Sequence, residues 1–329
     1  MKFLRGFGFV SCGTERMFVT MKTEYTYAAA YVKSLEKNML TDADFEMLTG
    51  LDSDEIIRFL ADRGYEGADF EEMLENERQK TWELCRELCG DDPLFDAFMT
   101  ENDFHNIKAV LKATVSGSDF SELIYEPSGI DVQGLANAFK TGDYSNIDDD
   151  FAEICKKAYS IYTKTLSGRE VELYIDKMQL LKRLELSRGN AFMYGLCELL
   201  SFIADLKIYL REKSNRPRNA ESGMTENSLI DIHFLTESGK SKEETLSLMG
   251  LGDEYRLFER SEAEFEKLCD DKISEYLKRA KMSFFDFDAL AAYFEGKKIE
   301  IKNLRLLLYG KRSGVSKKDL AERLRKSYV

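Results

Sequence analysis

Histidine is almost missing from this sequence: the 329 residues hold two, His105 and His233. General acid–base chemistry and zinc ligation lean on that side chain, so catalytic sets and tetrahedral metal sites have little to be built from. Proline is nearly as scarce, with Pro93, Pro127 and Pro217 spread far apart. A proline inside a helix costs about 3 kcal/mol, so long helices can run unbroken here. No stretch approaches the roughly 18 apolar residues of a membrane-spanning helix. The most apolar short runs, Ala28 to Val32 and Leu304 to Tyr309, both have charges close by. The six cysteines (Cys12, Cys85, Cys89, Cys155, Cys197, Cys269) follow no disulfide spacing. With no secretory signal in view, that predicts reduced thiols in a cytoplasmic protein.

What is present describes a large folded chain. Apolar residues make up 43% and charged residues 33%, which excludes wholesale disorder. A chain of this size buries roughly 75% of the surface its unfolded form exposes, so it needs no disulfide or metal staple. The net charge of −13 argues against a dedicated nucleic-acid binder. Charge is unevenly spread: Thr41 to Asp103 carries 20 acidic and 5 basic residues, and Gly296 to Val329 carries 11 basic and 3 acidic. This asymmetry predicts two faces with different partners, or else ordinary solvated helix surfaces.

Helical periodicity dominates and alternating strand patterns are scarce, which predicts an all-α protein. Phe151, Ile154, Cys155, Ala158 and Tyr162 fall on one helical stripe. Val171, Tyr174, Ile175, Met178 and Leu181 repeat it after a stop at Ser167-Gly168. Leu74, Arg78, Thr81, Trp82, Cys85, Leu88 and Cys89 form another face. Start signals stand at Thr41-Asp42, Ser53-Asp54, Asp91-Asp92-Pro93 and Ser316. Glycine loops stand at Gly64, Gly117 and Gly314.

One pattern occurs three times: Phe104 to Lys112, Ile203 to Arg211, and Ile301 to Tyr309. Each reads apolar, any residue, Asn or Asp, Ile or Leu, Lys or Arg, and then further apolar positions. The aligned bases Lys108, Lys207 and Arg305 lie about 100 residues apart, a common domain length. The expected organisation is an extension over 1–21, then helical repeats over 22–118, 119–218 and 219–329. Met17 or Met21 is a candidate true start.

Three motifs point elsewhere on first sight. Arg5-Gly6-Phe7-Gly8-Phe9-Val10-Ser11-Cys12 nearly spells an RNA-recognition octapeptide. The strand and helix that must precede it in that fold have no room. Gly314 to Leu324 resembles half a helix-turn-helix, but no recognition helix follows it. Cys85 and Cys89 lie one helical turn apart, with no second pair to complete a zinc site. A buried apolar pair beside Trp82 is the simpler account. His105 lies one turn after Glu101, where a local ion pair would explain it. No phosphate-binding glycine loop and no complete dinucleotide fingerprint occur. No catalytic, cofactor-binding or metal-binding residues are therefore assigned.

Three stretches together resemble the C subunit of the archaeal-type and bacterial V-type rotary ATPases, known as the d subunit in the eukaryotic vacuolar complex. They are Tyr25 to Glu36, Asn102 to Ala113, and Glu300 to Lys311 continuing to Arg325-Lys326-Ser327-Tyr328-Val329. The middle repeat around Phe202 to Lys207 is only loosely similar. The resemblance implies three similar helical domains forming a funnel with pseudo-threefold symmetry. It implies a non-catalytic central-stalk rotor protein with no cofactor, peripheral on the cytoplasmic side of the membrane and without transmembrane insertion. Its partners would be the axle subunits and the membrane ring that carries protons or sodium ions, with no nucleic acid. The alternative is a free-standing helical scaffold that shares only the architecture.

Within that frame nine polar residues stand out: Asp103, Asn106, Lys108, Asp205, Lys207, Glu300, Asn303, Arg305 and Lys311. They have two readings. As function, the bases would sit at equivalent places and touch axle or ring. As structure, Asp103, Asn106, Asp205, Glu300 and Asn303 would bind those bases within the protein and so fix helix register, which is the favoured reading.

Overall fold

The helix starts follow from side chains that cap them. In the computed structural model, which describes residues 25–215 and 261–329, Thr41 accepts from the Asp44 amide and Asp44 reaches back to Thr41. Asp52 and Glu55 form the same reciprocal box one element later. Such boxes satisfy two of the four unpaired N–H groups at a helix start. They open α2 (Asp42–Leu48) and α3 (Ser53–Asp62). The cap of α3 is thus Asp52, and Ser53 is already helical.

Twelve α-helices and no strand occur among the described residues, so the all-α expectation holds. After α1 (Thr26–Glu36), α2 and α3 come α4 (Phe70–Cys89), α5 (Leu94–Ser116), α6 (Val132–Thr141), α7 (Asp149–Thr165), α8 (Gly168–Leu186) and α9 (Ala191–Asn215). The later described elements are α10 (Glu262–Leu277), α11 (Phe287–Arg312) and α12 (Lys317–Arg323). Helix α5 stops at Gly117, whose φ of 69° lies in the left-handed region that glycine enters without strain. Ser167 caps the start of α8 rather than the end of α7, which closes on Leu166. The octapeptide at 5–12, Cys12, His233, the extension over 1–21 and part of the 219–329 repeat lie outside the described residues.

The chain divides into two compact units. The first takes in the described residues 25–88, 203–214 and 261–329. The second takes in 89–202 and Asn215. In the second, the long helix α5 packs on α6 and α8, and α7 packs on α8. Phe104, Ile107, Val110 and Leu111 of α5 meet Leu135, Phe139, Ile154, Cys155 and Ile175 in its core.

In the first unit the long helix is α11. Ile301, Leu304, Leu307 and Leu308 share one apolar cluster with Leu40, Phe45, Leu48, Ile56, Leu60, Phe70 and Leu74, and with Leu320 and Leu324. Each large side chain so buried is worth about 1.5–3 kcal/mol. Trp82 meets Phe294 edge to face at 4.6 Å in the same unit. The acid-rich and base-rich segments of the sequence therefore fold largely into one body, and their opposite charges partly meet inside it.

Candidate functional site

Asn106 and Asn303 sit at matching positions of two of the three repeated segments, and both are fully buried. An asparagine side chain carries one acceptor and one two-proton donor, the same pair that a peptide group offers. Asn106 uses both against one residue: Nδ2 donates to Tyr125 O and Oδ1 accepts from Tyr125 N, each at 2.9 Å. Asn303 does the same with Arg325, again at 2.9 Å in both directions. Each clamp fastens an irregular downstream segment to the flank of a long helix and satisfies backbone groups that have no helical partner.

Asp103 lies one turn before Asn106 and extends the first clamp. Its Oδ1 accepts from Ser128 Oγ and from Gly129 N, both at 2.7 Å, and Asn102 Nδ2 donates to Pro127 O at 2.8 Å. Burial raises the Asp103 carboxyl above the usual range, against the pull of these hydrogen bonds. Lys108 pairs with Asp176 of α8 at 2.7 Å. The His105 ring stacks on Tyr125 with centroids 3.9 Å apart, and its Nε2 lies 2.9 Å from Leu123 O.

Glu300 stands one turn before Asn303 and is the hub of a larger network. Its Oε1 accepts from Tyr65 Oη at 2.6 Å and Lys297 Nζ at 2.7 Å, and its Oε2 accepts from Leu40 N at 2.5 Å. Lys297 also donates to Glu77 at 2.6 Å. Burial alone would lower the Lys297 ammonium, but Glu300 and Glu77 outweigh it and hold the group charged. Burial, then the same two carboxylates, pushes the Tyr65 phenol well above its ordinary value.

The C-terminal segment is stitched down beside this hub. Asp270 accepts from Lys302 Nζ at 2.6 Å and Arg325 Nε at 2.9 Å. Burial works to raise its carboxyl, and the two cations bring it below the usual range. Lys326 N donates to Asp271, Ser327 Oγ donates to Leu40 O, and the Tyr328 hydroxyl donates to Glu36. The Tyr328 ring lies against Gly296, where a Cβ would stand 2.7 Å from its Cδ1.

The remaining candidates are spread over the first unit. Lys207 pairs with Glu266 at 3.4 Å, and Asp205 is half-buried on the same helix. Lys311 Nζ donates to Thr49 O and Leu51 O, where a cation suits the carbonyl-rich end of α2. Arg305 is half-buried and, after the hydrogen bonds from Arg78, helps to lower the Glu75 carboxyl. The nine residues therefore fall into separate clusters. The sequence offered a signal for Lys297, which precedes Glu300 by one turn. Nothing in it pointed to Glu77 or Asp270, and Tyr328 was marked only as part of the terminal stretch that carries the family resemblance.

Two clefts open in the second unit. One of about 740 Å³ runs between α7 and α8 and mixes Asp150, Glu153 and Glu185 with Lys156, Lys157 and Lys182. The other, about 660 Å³, contains the Lys108–Asp176 pair. Cys85, Cys89, Cys155, Cys197 and Cys269 are buried and none forms a disulfide. Burial pushes Cys155 up to about 12 and Cys269 up to about 11. No group of three metal-ligating side chains occurs among the described residues, and no helix there is long and apolar enough to cross a membrane.

Two comparisons bear on this arrangement. The family model for the ATP synthase (C/AC39) subunit matches residues 28–323. The C subunit of the V-type sodium ATPase of Enterococcus hirae is 22% identical over 332 aligned positions, spanning 93% of this chain and 99% of that protein.

Proposed function

Because this chain belongs to the ATP synthase (C/AC39) subunit family, we propose that it is the non-catalytic central-stalk rotor component of a V-type or archaeal-type ATPase. In this reading it caps the cytoplasmic side of the membrane ring and receives the axle subunits. It then passes rotation between ATP turnover in the head and proton or sodium movement through the ring. The three repeats over 22–118, 119–218 and 219–329 would form the funnel around the foot of the axle.

The observation that carries the proposal is the family match along nearly the whole chain. The internal chemistry supports it. A torque coupler has to resist shear, and close-packed helices deform little. The Asn106 and Asn303 clamps and the Glu300 hub add directional bonds that lock long helices against their neighbours. Among the nine polar candidates we assign this registry role to Asp103, Asn106, Glu300, Asn303 and Lys311. Lys108 and Lys207, paired with Asp176 and Glu266, share that role with Asp205, and the half-buried Arg305 is the one we assign to partner contacts.

Deleting the gene and purifying the ATPase tests the proposal. The expected result is a head that still hydrolyses ATP while ion pumping is lost, and a tagged copy that brings down axle and ring subunits. Fully coupled pumping by a complex lacking this chain overturns it and favours the free-standing scaffold.

A further inference from the structure

The segment joining α10 to α11 carries an arrangement that the polar networks do not use. Lys278, Arg279 and Lys281 are followed at once by Met282, Phe284 and Phe285. These three apolar side chains are 81%, 51% and 46% exposed. The segment is fixed at both ends. Lys33 of α1 donates to Ala280 O at 3.2 Å, and the buried Phe287 ring meets Tyr25 edge to face at 5.2 Å. The same helix α1 exposes Tyr27 and Tyr31, stacked with centroids 5.8 Å apart.

From this we infer that residues 278–285 form a lipid-contacting tip, which inserts Met282, Phe284 and Phe285 among the headgroups of an anionic bilayer. The chemistry matches that occupant better than a protein pocket. Exposed apolar side chains on a short 3-10 turn and the residues after it can enter a soft medium, and each apolar group withdrawn from water adds to binding. The exposed Arg279, which lies over the Tyr276 ring at 4.6 Å, the exposed Lys281 and the half-buried Lys278 fit lipid phosphates, and they supply local positive charge on a chain whose net charge of −13 would otherwise repel an anionic surface. Tyrosines such as Tyr27 and Tyr31, with an apolar ring and a polar tip, suit the headgroup level. Acidic groups also face the segment: Asp286 accepts from Ser283 Oγ at 3.3 Å, Asp288 follows on α11, and Glu275 stands one turn before Lys278. They limit the attraction to a shallow contact. The inference does not depend on the rotary-ATPase reading, because it concerns the isolated chain and a vesicle.

The experiment floats the purified full-length chain with vesicles of phosphatidylcholine alone, and with vesicles of phosphatidylcholine and phosphatidylglycerol in equal parts. Binding is expected only to the anionic vesicles. It should weaken about fivefold for each of Lys278→Gln, Arg279→Gln and Lys281→Gln, and vanish in Phe284→Ser/Phe285→Ser at unchanged melting temperature. The native tryptophan, Trp82, is buried, so Phe285→Trp adds a separate reporter whose emission should shift to the blue on binding. No binding to anionic vesicles, or binding that survives both sets of substitutions, overturns the inference. Loss of captured protein partners in Phe284→Ser/Phe285→Ser, with vesicles ignored by the unaltered chain, also overturns it and identifies a protein-docking tip.

Discussion

Asn303 and Arg325 exchange two hydrogen bonds of 2.9 Å, side-chain amide against backbone peptide, and so hold the last residues of the chain to the flank of α11. Asn106 and Tyr125 repeat the exchange in the other unit. An alanine at either asparagine would strand one N–H and one C=O of the facing backbone in a partly buried place. Asn106→Ala and Asn303→Ala are each expected to cost about 2–3 kcal/mol in denaturant unfolding. In Asn303→Ala the amide of Arg325 should also exchange with deuterium much faster. A loss under about 0.5 kcal/mol, typical of an ordinary surface change, would remove the clamp from the account.

Gly296 lies within α11, where alanine normally stabilises by about 1 kcal/mol. Here the added Cβ would meet Tyr328 Cδ1 at 2.7 Å. Gly296→Ala is therefore expected to lower the melting temperature, and pairing it with Tyr328→Ala should reverse the sign of its effect. Calorimetry of the single and double variants measures this directly.

Two buried aspartates should respond oppositely to acid. The Asp270 carboxyl is held below its unfolded value despite burial, through Lys302 and Arg325. Its stabilisation is complete above the unfolded pKa and is lost as the pH falls through the lower folded one. Asp270→Asn should cost about 2–3 kcal/mol at neutral pH, less than a fully buried pair because Lys302 retains water. That deficit should shrink as the pH falls below 4.

Burial holds Asp103 above its unfolded value, so its charge opposes folding at neutral pH and that cost fades as the pH falls through the folded pKa. Asp103→Asn can keep both bonds to Oδ1, from Ser128 and Gly129. Its stability at neutral pH should equal or exceed that of the native chain. Urea titrations of both variants across acid pH check the contrast.

Lys297 neutralises Glu77 and Glu300 in an interior that excludes water. Lys297→Met leaves the buried Glu300 and the half-buried Glu77 without their shared cation and is expected to cost about 3–5 kcal/mol. Adding Glu77→Gln should recover part of the loss, which a double-mutant cycle reads as coupling between the two sites.

The helices were legible from the sequence because their causes are local. The stripe through Phe151 and Tyr162, the Thr41 and Ser316 caps, and the turn at Gly117 all act within a few residues. Repetition alone marked Asn106 and Asn303. It could not say what they bind, because Tyr125 and Arg325 contribute only backbone, and backbone leaves no signature in a sequence. Likewise, the opposite charges of the two ends were visible as composition and suggested separate partners.

What the sequence by itself determined is an all-helical chain in which Asn or Asp recurs at matching places of three segments, with few residues suited to catalysis. Helical period, capping and composition are properties of short segments. Only the tertiary structure decided that Leu40 to Leu74 close against Ile301 to Leu324, and that Lys297 finds Glu77 220 residues away. It also decided that the terminal Tyr328 lies on Gly296. Those pairings are chosen by whole-molecule packing, in which shape and desolvation are settled among many surfaces at once.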